Sequence, residues 1–538
     1  MQKKEYVLVL GASLMQKPAM EAAMELGYKT LVIDANPEAA CVKFADVFFP
    51  VDLKDREAVL KLALEYRDSL CAVFTAGTDF SSTVSYAAEK LDLPCHSFES
   101  TLNATDKYLM RTCFSKNSVS SPAFEKISRN EIMQFIAGGQ LDSLSFPKVV
   151  KPVDNMGARG CRLIRSRQEF LPAVEDAVRA SRCATSILED YMEGPEFSID
   201  ALVWNGSLTI TGFADRHIFF EPYFVETGHT IPSSVTESEK ILLIKTFAKG
   251  VEALGLTCGA AKADIKLTKD GPMIGEIAAR LSGGYMSGWT YPYASGLNLT
   301  KQALLIAAGR EPVELLNRRV PLVVSGTSFS VYEVPCAETS AERSWISIPG
   351  VVKNIYGLDR ASFCPFIEKV FPRVKEGDSV DFPRNNISKC GNVISVCPDA
   401  KKAAWSAETA VSNIVLRLEP SDMRTRSFLA RTNLPHEKNF PPDAYTVSEE
   451  DIAEAKKFVE KYPVIRADAP VRAEGSPYDF EKYRDFNYRT PRKSLELFNE
   501  ISPLHPELDT GKFLDALIRG GLQGILYLSD TVSQRGSY

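Results

Sequence analysis

Over the first hundred positions, apolar residues fall in short runs separated by amphipathic stretches of helical length. Tyr6 to Leu10 is one such run and ends at Gly11. A run this short, followed by a helical pattern over 18–26 that stops at Gly27, reads as a buried parallel strand and its return helix. Thr30 to Ile33, ending at Asp34, is a second strand. A helix near 55–66, a strand at 70–75 and a helix near 80–91 continue the alternation. This βαβα order predicts a parallel sheet with helices on both faces.

The texture changes near residue 100. Phe146 to Val150 is an apolar strand, followed by a Gly-bearing loop (154–160) and a second strand, Cys161 to Ile164. Residues 186–203 and 207–213 are strand-like, 236–254 fits a helix, and strands at 258–267 and 272–277 flank Asp270-Gly271. Residues 325–334 alternate again, and 350–398 is rich in short strands and Gly turns. From about 420 the pattern is mainly helical, over 448–461, 491–500 and 509–518. The expected division is a parallel α/β domain over 1–100, a second domain over 101–310 with a small subdomain at about 121–190, a strand-rich subdomain over 311–420 and a helical extension over 421–538.

Composition narrows the class. A chain of 538 residues exceeds a single core, and 45% apolar with 25% charged residues is ordinary for a globular protein. A net charge of −6 disfavours a nucleic-acid partner, though not a local pocket for one nucleotide. Eleven scattered cysteines with no CxxC pair fit a reducing compartment. The start of the chain lacks the apolar core of a signal peptide, and no stretch has the length of a membrane span. The expected location is the cytoplasm.

Four clusters carry candidate chemistry. In Asp264-Ile-Lys-Leu-Thr-Lys-Asp-Gly-Pro-Met-Ile-Gly-Glu276, a three-residue turn at Lys269-Asp270-Gly271 would pair Thr268 with Pro272 and set Asp264 opposite Glu276. Opposed carboxylates need a positive group between them, and a hard divalent cation suits them. A two-residue turn would instead send them to opposite faces, and two exposed acidic strand positions are the plain alternative. Arg280 follows closely, then Ser282-Gly283-Gly284, where guanidinium and free backbone N–H groups suit an anion. Lys151 precedes a loop carrying Gly157, Arg159 and Gly160 between two strands, which is not a Walker A loop. Glu189, Tyr191, Met192 and Glu196 flank a Gly-Pro break between strands, where backbone groups can meet an adenine edge and acids a ribose.

Together these clusters resemble the ATP-grasp superfamily, which includes biotin carboxylase, carbamoyl phosphate synthetase, D-alanine–D-alanine ligase and the L-amino-acid ligases. The order matches over residues 1 to about 400: lysine, lysine before a Gly loop, acidic hinge, acidic hairpin, arginine. The resemblance implies a Rossmann-like N-terminal sheet, an ATP-grasp fold and a strand-rich C-terminal subdomain. It implies that Lys107 and Lys151 bind ATP phosphates under the loop Gly157–Gly160 with Arg159. Glu189, Tyr191 and Met192 would form the adenine hinge, and Glu196 would meet the ribose. Asp264 and Glu276 would carry Mg²⁺, with Mn²⁺ as an alternative, and Arg280 would hold an acyl phosphate, with Lys151 the other catalytic cation. Phe219 to Ser233 is similar to the stretch that L-amino-acid ligases use around the amino acid, with Glu226 facing an ammonium and His229 a carboxylate, beside Ser282, Gly283 and Gly284. A satisfied structural histidine is the equal alternative there. The chain departs from the family pattern at Asp264, where Glu is usual, and at Ala278, where many members have Asn. The implied activity is an ADP-forming ligation of a small carboxylate to an amine, with no nucleic-acid or membrane partner and a homodimer left open. A bicarbonate-using enzyme and a nucleotide-binding protein with a degenerate site are the rivals.

Overall fold

A computed structural model describes residues 5–431, 440–467, 469–471 and 481–535. The chain divides into two compact units, residues 1–217 with 229–340, and residues 218–228 with 341–538.

The first unit opens with the expected parallel sheet. Its strand order is Val47–Pro50, Lys29–Asp34, Tyr6–Leu10, Leu70–Phe74. Leu8, Leu10, Leu31 and Ile33 pack on one side with Val59, Leu62 and Ala87 from the following helices. Val7, Val9 and Val32 pack on the other side with Ala19, Met20 and the later residues Leu304 and Ile306. Both faces are buried, which is why the strands read as continuous apolar runs. Val47–Pro50 was not expected as a strand. It is a four-residue edge closed by proline, too short to show a period.

An antiparallel sheet follows, in the order Phe124–Ser128, Thr185–Asp190, Lys148–Pro152, Arg162–Ile164. Phe170, Ala173, Val174 and Ala177 of the helix Arg167–Ala180 cover it. The central sheet of the unit runs Gly271–Ala278, Gly259–Thr268, Glu196–Trp204, Ser207–Phe219. The helix Glu237–Leu254 lays Leu243, Phe247 and Val251 on Phe197, Ile265 and Ile277 of that sheet. Thr236 and Glu239 close its first turn reciprocally, and Gly255 ends it in the left-handed conformation.

His96 fastens the start of Gly259–Thr268. Its Nε2 donates to the Ala260 carbonyl at 3.0 Å, while Nδ1 accepts from Thr257 and Cys258 N–H at 3.1 Å. Burial pushes its pKa down from 6.5 to about 4. Between those values the unfolded chain binds the extra proton and the folded chain does not. Stability is therefore present above pH 6.5 and lost as pH falls toward 4, by about 3 kcal/mol from this group. Thermal melts from pH 7 to 4 should show this loss, with a shallower slope over that range in His96→Gln.

In the second unit, Thr339–Trp345, Gly391–Cys397 and Ile367–Pro372 are neighbouring strands, and Gly350–Tyr356 lies between Val415–Leu418 and Ser379–Val380. Helices Glu449–Lys461, Pro491–Ile501 and Thr510–Arg535 follow. The last span is two helices that meet at Gly521, whose backbone leaves helical geometry (φ 57°, ψ −145°); the first ends close to the expected 509–518, and the second was not expected. Residues 432–439, 468, 472–480 and 536–538 of the expected helical extension lie outside the described residues. Among the described residues no helix is long and apolar enough to cross a membrane.

Candidate active site

The acidic hairpin reaches the expected pairing by an unexpected route. Thr268 pairs with Gly271, so the turn holds two residues rather than three. That turn alone would set Asp264 opposite Gly275. The pairing instead runs through Lys266–Met273 and Ile265–Ile274, then jumps to Asp264–Glu276. Gly275 is the extra residue of a β-bulge, and the bulge restores the opposition of the two acids. There is little room at this position. A Cβ on Gly275 would lie 3.1 Å from the Asp264 carbonyl oxygen, and the Gly275 carbonyl accepts from the Arg111 guanidinium at 2.6 Å.

Lys107 begins the helix Lys107–Lys116, capped by the Asp106 carboxylate. Its buried ammonium stands 3.4 Å from Glu276 Oε2 and donates to the Asn155 carbonyl at 2.8 Å. Burial pulls the Lys107 pKa down, but Glu276 and Asp79 outweigh it and the net shift is upward. Burial likewise opposes ionisation of Glu276, yet Lys107, Lys262, Lys151 and Arg280 hold its carboxyl down at about 2. One turn along the helix from Lys107, Arg111 Nε donates to Glu189 Oε1 at 2.8 Å, and Lys151 Nζ lies 2.7 Å from Glu189 Oε2. Glu189 is fully buried. Despite that burial, these two cations keep it ionised below the usual carboxylate range. Its side chain is thus committed to fixing Lys151.

The loop between Lys148–Pro152 and Arg162–Ile164 is pinned at both ends. Asp154 accepts from the Arg182 and Cys183 N–H groups, Asn155 donates to the Ala180 carbonyl, and a Cβ on Gly160 would lie 2.8 Å from Ala180 Cβ. Gly157, Ala158 and Gly160 have positive φ, and Arg159 folds back onto the Met156 carbonyl at 3.0 Å. At the hinge, Lys266 donates to the Met192 carbonyl at 3.1 Å, lies over the Tyr191 ring and stands 3.5 Å from Glu196. Glu196 also pairs with Arg216, whose NH1 is 2.9 Å from Asp264 Oδ1, and Lys262 bonds the same Asp264 oxygen.

Arg280 follows the hairpin. Its Nε is 3.7 Å from Asp79 Oδ1, and its NH1 donates to the Leu281 carbonyl at 3.0 Å. The next residues are held from two sides. The Ser282 N–H donates to Asp200 Oδ2 at 3.0 Å, and a Cβ on Gly77 would lie 2.7 Å from Gly283 Cα. Gly284 has φ 62°. Burial raises the Asp200 carboxyl to about 6, against the bonds from Ser282. His229 is fully buried in the first unit. Glu226 belongs to the second unit, where its carbonyl accepts from Lys389 at 2.8 Å and its carboxylate lies 3.9 Å from that ammonium.

Sequence reasoning missed Asp79, Arg111, Arg216, Lys262 and Lys266. Lys262-x-Asp264-x-Lys266 was legible, since alternate strand residues share a face. Asp79 follows the C-terminal end of the parallel strand Leu70–Phe74, where such sheets place ligand contacts. Arg111 and Arg216 come from distant elements and leave no local signal.

The ion pairs of the site join seven cations (Lys107, Arg111, Lys151, Arg216, Lys262, Lys266, Arg280) to five acids (Asp79, Glu189, Glu196, Asp264, Glu276). The surplus of positive charge suits a polyphosphate. Among the described residues no group of three or more His, Cys, Asp or Glu could hold a metal. The donor set still fits Mg²⁺ bound with a nucleotide, because that ion takes one or two carboxylates and completes its shell with phosphate oxygens and water.

Residues 144–288 match the ATP-grasp domain, and residues 344–419 match the L-amino acid ligase C-terminal domain 2. The solved L-amino acid ligase from Bacillus licheniformis is 19% identical, with a TM-score of 0.65 over 78% of this chain and 100% of that one. Phosphoribosylglycinamide synthetase from Anaerococcus prevotii is 20% identical, with a TM-score of 0.57 over 77% and 100%. Carnosine synthase 1 of Gallus gallus is 25% identical over 342 residues, which is 57% of this chain but 35% of that protein. The chain thus spans about a third of that relative's length. The solved structures share the ATP-grasp fold with this chain.

Proposed function

We propose that this chain, with its ATP-grasp fold, is an ATP-dependent ligase that activates a small carboxylate as an acyl phosphate and passes the acyl group to an amine, releasing ADP and phosphate. The observation that supports it best is the opposed pair Asp264 and Glu276 with Lys107 beside Glu276, in a cluster of ion pairs that includes Lys151 and carries surplus positive charge. In this reading Asp264 and Glu276 would hold Mg²⁺, or Mn²⁺ in its place, which would supply neutralisation of phosphate charge. Lys107 and Lys151 neutralise phosphate oxygens, and the tip Gly157–Gly160 with Arg159 folds over them. The adenine lies along the hinge backbone at Tyr191 and Met192, with Glu189 acting from beneath through Lys151, and Glu196 meets the ribose.

A substrate carboxylate oxygen attacks the γ-phosphorus and ADP leaves. Arg280 and the N–H groups of Gly283 and Gly284 face the charge that develops on the acyl phosphate, while the Ser282 N–H is held by Asp200. An amine then attacks the acyl carbon, the C–O bond to phosphate breaks, and the amine loses a proton. His229, in the first unit, is assigned to the amino-acid substrate. Exclusion of water by the loop keeps the acyl phosphate from hydrolysis. The chain works in the cytoplasm in this reading.

A phosphate-release screen with ATP, Mg²⁺ and paired amino acids tests the proposal. Release that needs both a carboxylate and an amine supports it, whereas release that needs bicarbonate and no amino acid gives the reaction to a carboxylating enzyme. Asp79 enters as a positioning residue for Arg280. Asp79→Asn should lower kcat about 10- to 100-fold while leaving the KM for ATP within about twofold, and Asp79→Glu should recover part of the loss.

A further inference from the structure

The Asp264 carboxylate already has two fixed cations. Lys262 and Arg216 both meet its Oδ1. Lys262 lies two residues before it on the same strand face, with only 14% of its side chain exposed. Its register partners are Asp200 on one side and Ala278 on the other. Its charge acts on Asp200 and on Glu276 as well. Its one ion pair among the described residues is with Asp264, and Asp200 stands beside it across the strand. Ala278 brings no oxygen to this face, and the Asp200 oxygen Oδ2 is taken by the Ser282 N–H. A second divalent ion placed against Asp264 would meet two resident positive charges, one of them Lys262, which already stands opposite Asp200, whose buried Oδ1 has no hydrogen-bond partner among the described residues.

We propose that Lys262 is a built-in cation of the nucleotide site, standing where a second metal ion would otherwise be needed, so that the Asp264–Glu276 pair takes a single divalent ion. This rests on the nucleotide-binding reading above and deepens it. Lys262 neutralises a phosphate oxygen directly, as a point charge on a short tether. Arg216 holds Asp264 in place and links it to Glu196 at the hinge.

Mn²⁺ is the probe, counted by electron paramagnetic resonance and by calorimetry on the full chain with ADP present at saturation. ADP affinity is measured separately. The wild-type chain should hold one Mn²⁺, and Lys262→Arg should also hold one. Lys262→Met should hold two, with ADP affinity at low Mn²⁺ reduced about tenfold and recovered as Mn²⁺ rises. Two Mn²⁺ ions in the wild-type chain would overturn the proposal. So would one Mn²⁺ in a folded Lys262→Met chain that still binds ADP. If Lys262→Met fails to fold, the wild-type count decides by itself. No ADP binding by the wild-type chain would remove the nucleotide reading itself, a result distinct from a wrong ion count.

Discussion

Replacing Glu276 with alanine is expected to cut amine-dependent ADP release by about 10³-fold or more. Glu276 is assigned to the metal, and it also faces Lys107 at 3.4 Å. Its loss removes an ion ligand and leaves the Lys107 ammonium buried without its acid. The stability cost is about 1–3 kcal/mol, discounted because Glu276 is 30% exposed. Activity should therefore fall far more than stability, and a steady-state assay beside a thermal melt separates the two. The carboxyl is held near pKa 2, below its unfolded value of about 4.5. Its contribution is complete above pH 4.5 and fades as pH falls toward 2, so loss of activity between pH 6 and 5 must come from another group. Glu276→Asp should recover more activity than Glu276→Gln, because charge matters here more than shape.

Replacing Lys151 with alanine is expected to lower kcat/KM about 10²- to 10³-fold. The lysine is held at its place by Glu189, which Arg111 holds in turn. The substitution should leave the fold intact, because Arg111 still neutralises Glu189. A melting temperature within a few degrees of wild type, with ATP affinity and turnover both reduced, is the expected pattern. Near-normal turnover would remove Lys151 from the phosphate site.

The sequence carried the alternation of the first hundred residues plainly, because strands buried on both faces leave short apolar runs between helical periods. It carried the opposition of Asp264 and Glu276 only by accident of counting. The expected three-residue turn and the observed two-residue turn plus bulge at Gly275 lead to the same pairing. A bulge leaves no periodic trace, and Gly275 alone did not announce one. The helix expected over 509–518 ends near the break at Gly521, and the helix beyond that break was not expected. The second ring of charges was the least legible part. Arg111, Arg216 and Asp79 reach the site from three separate elements, and only the folded chain brings them to Glu189, Asp264 and Arg280.

Transfer of a carboxylate oxygen to phosphate tests the central claim most directly. The chain is incubated with ATP, Mg²⁺ and a pool of amino acids labelled with ¹⁸O in their carboxyl groups, and the released phosphate is weighed by mass spectrometry. An acyl phosphate leaves one carboxylate oxygen on each phosphate, so the account predicts phosphate carrying a single ¹⁸O, formed together with an amide product. Turnover that yields only unlabelled phosphate would contradict it.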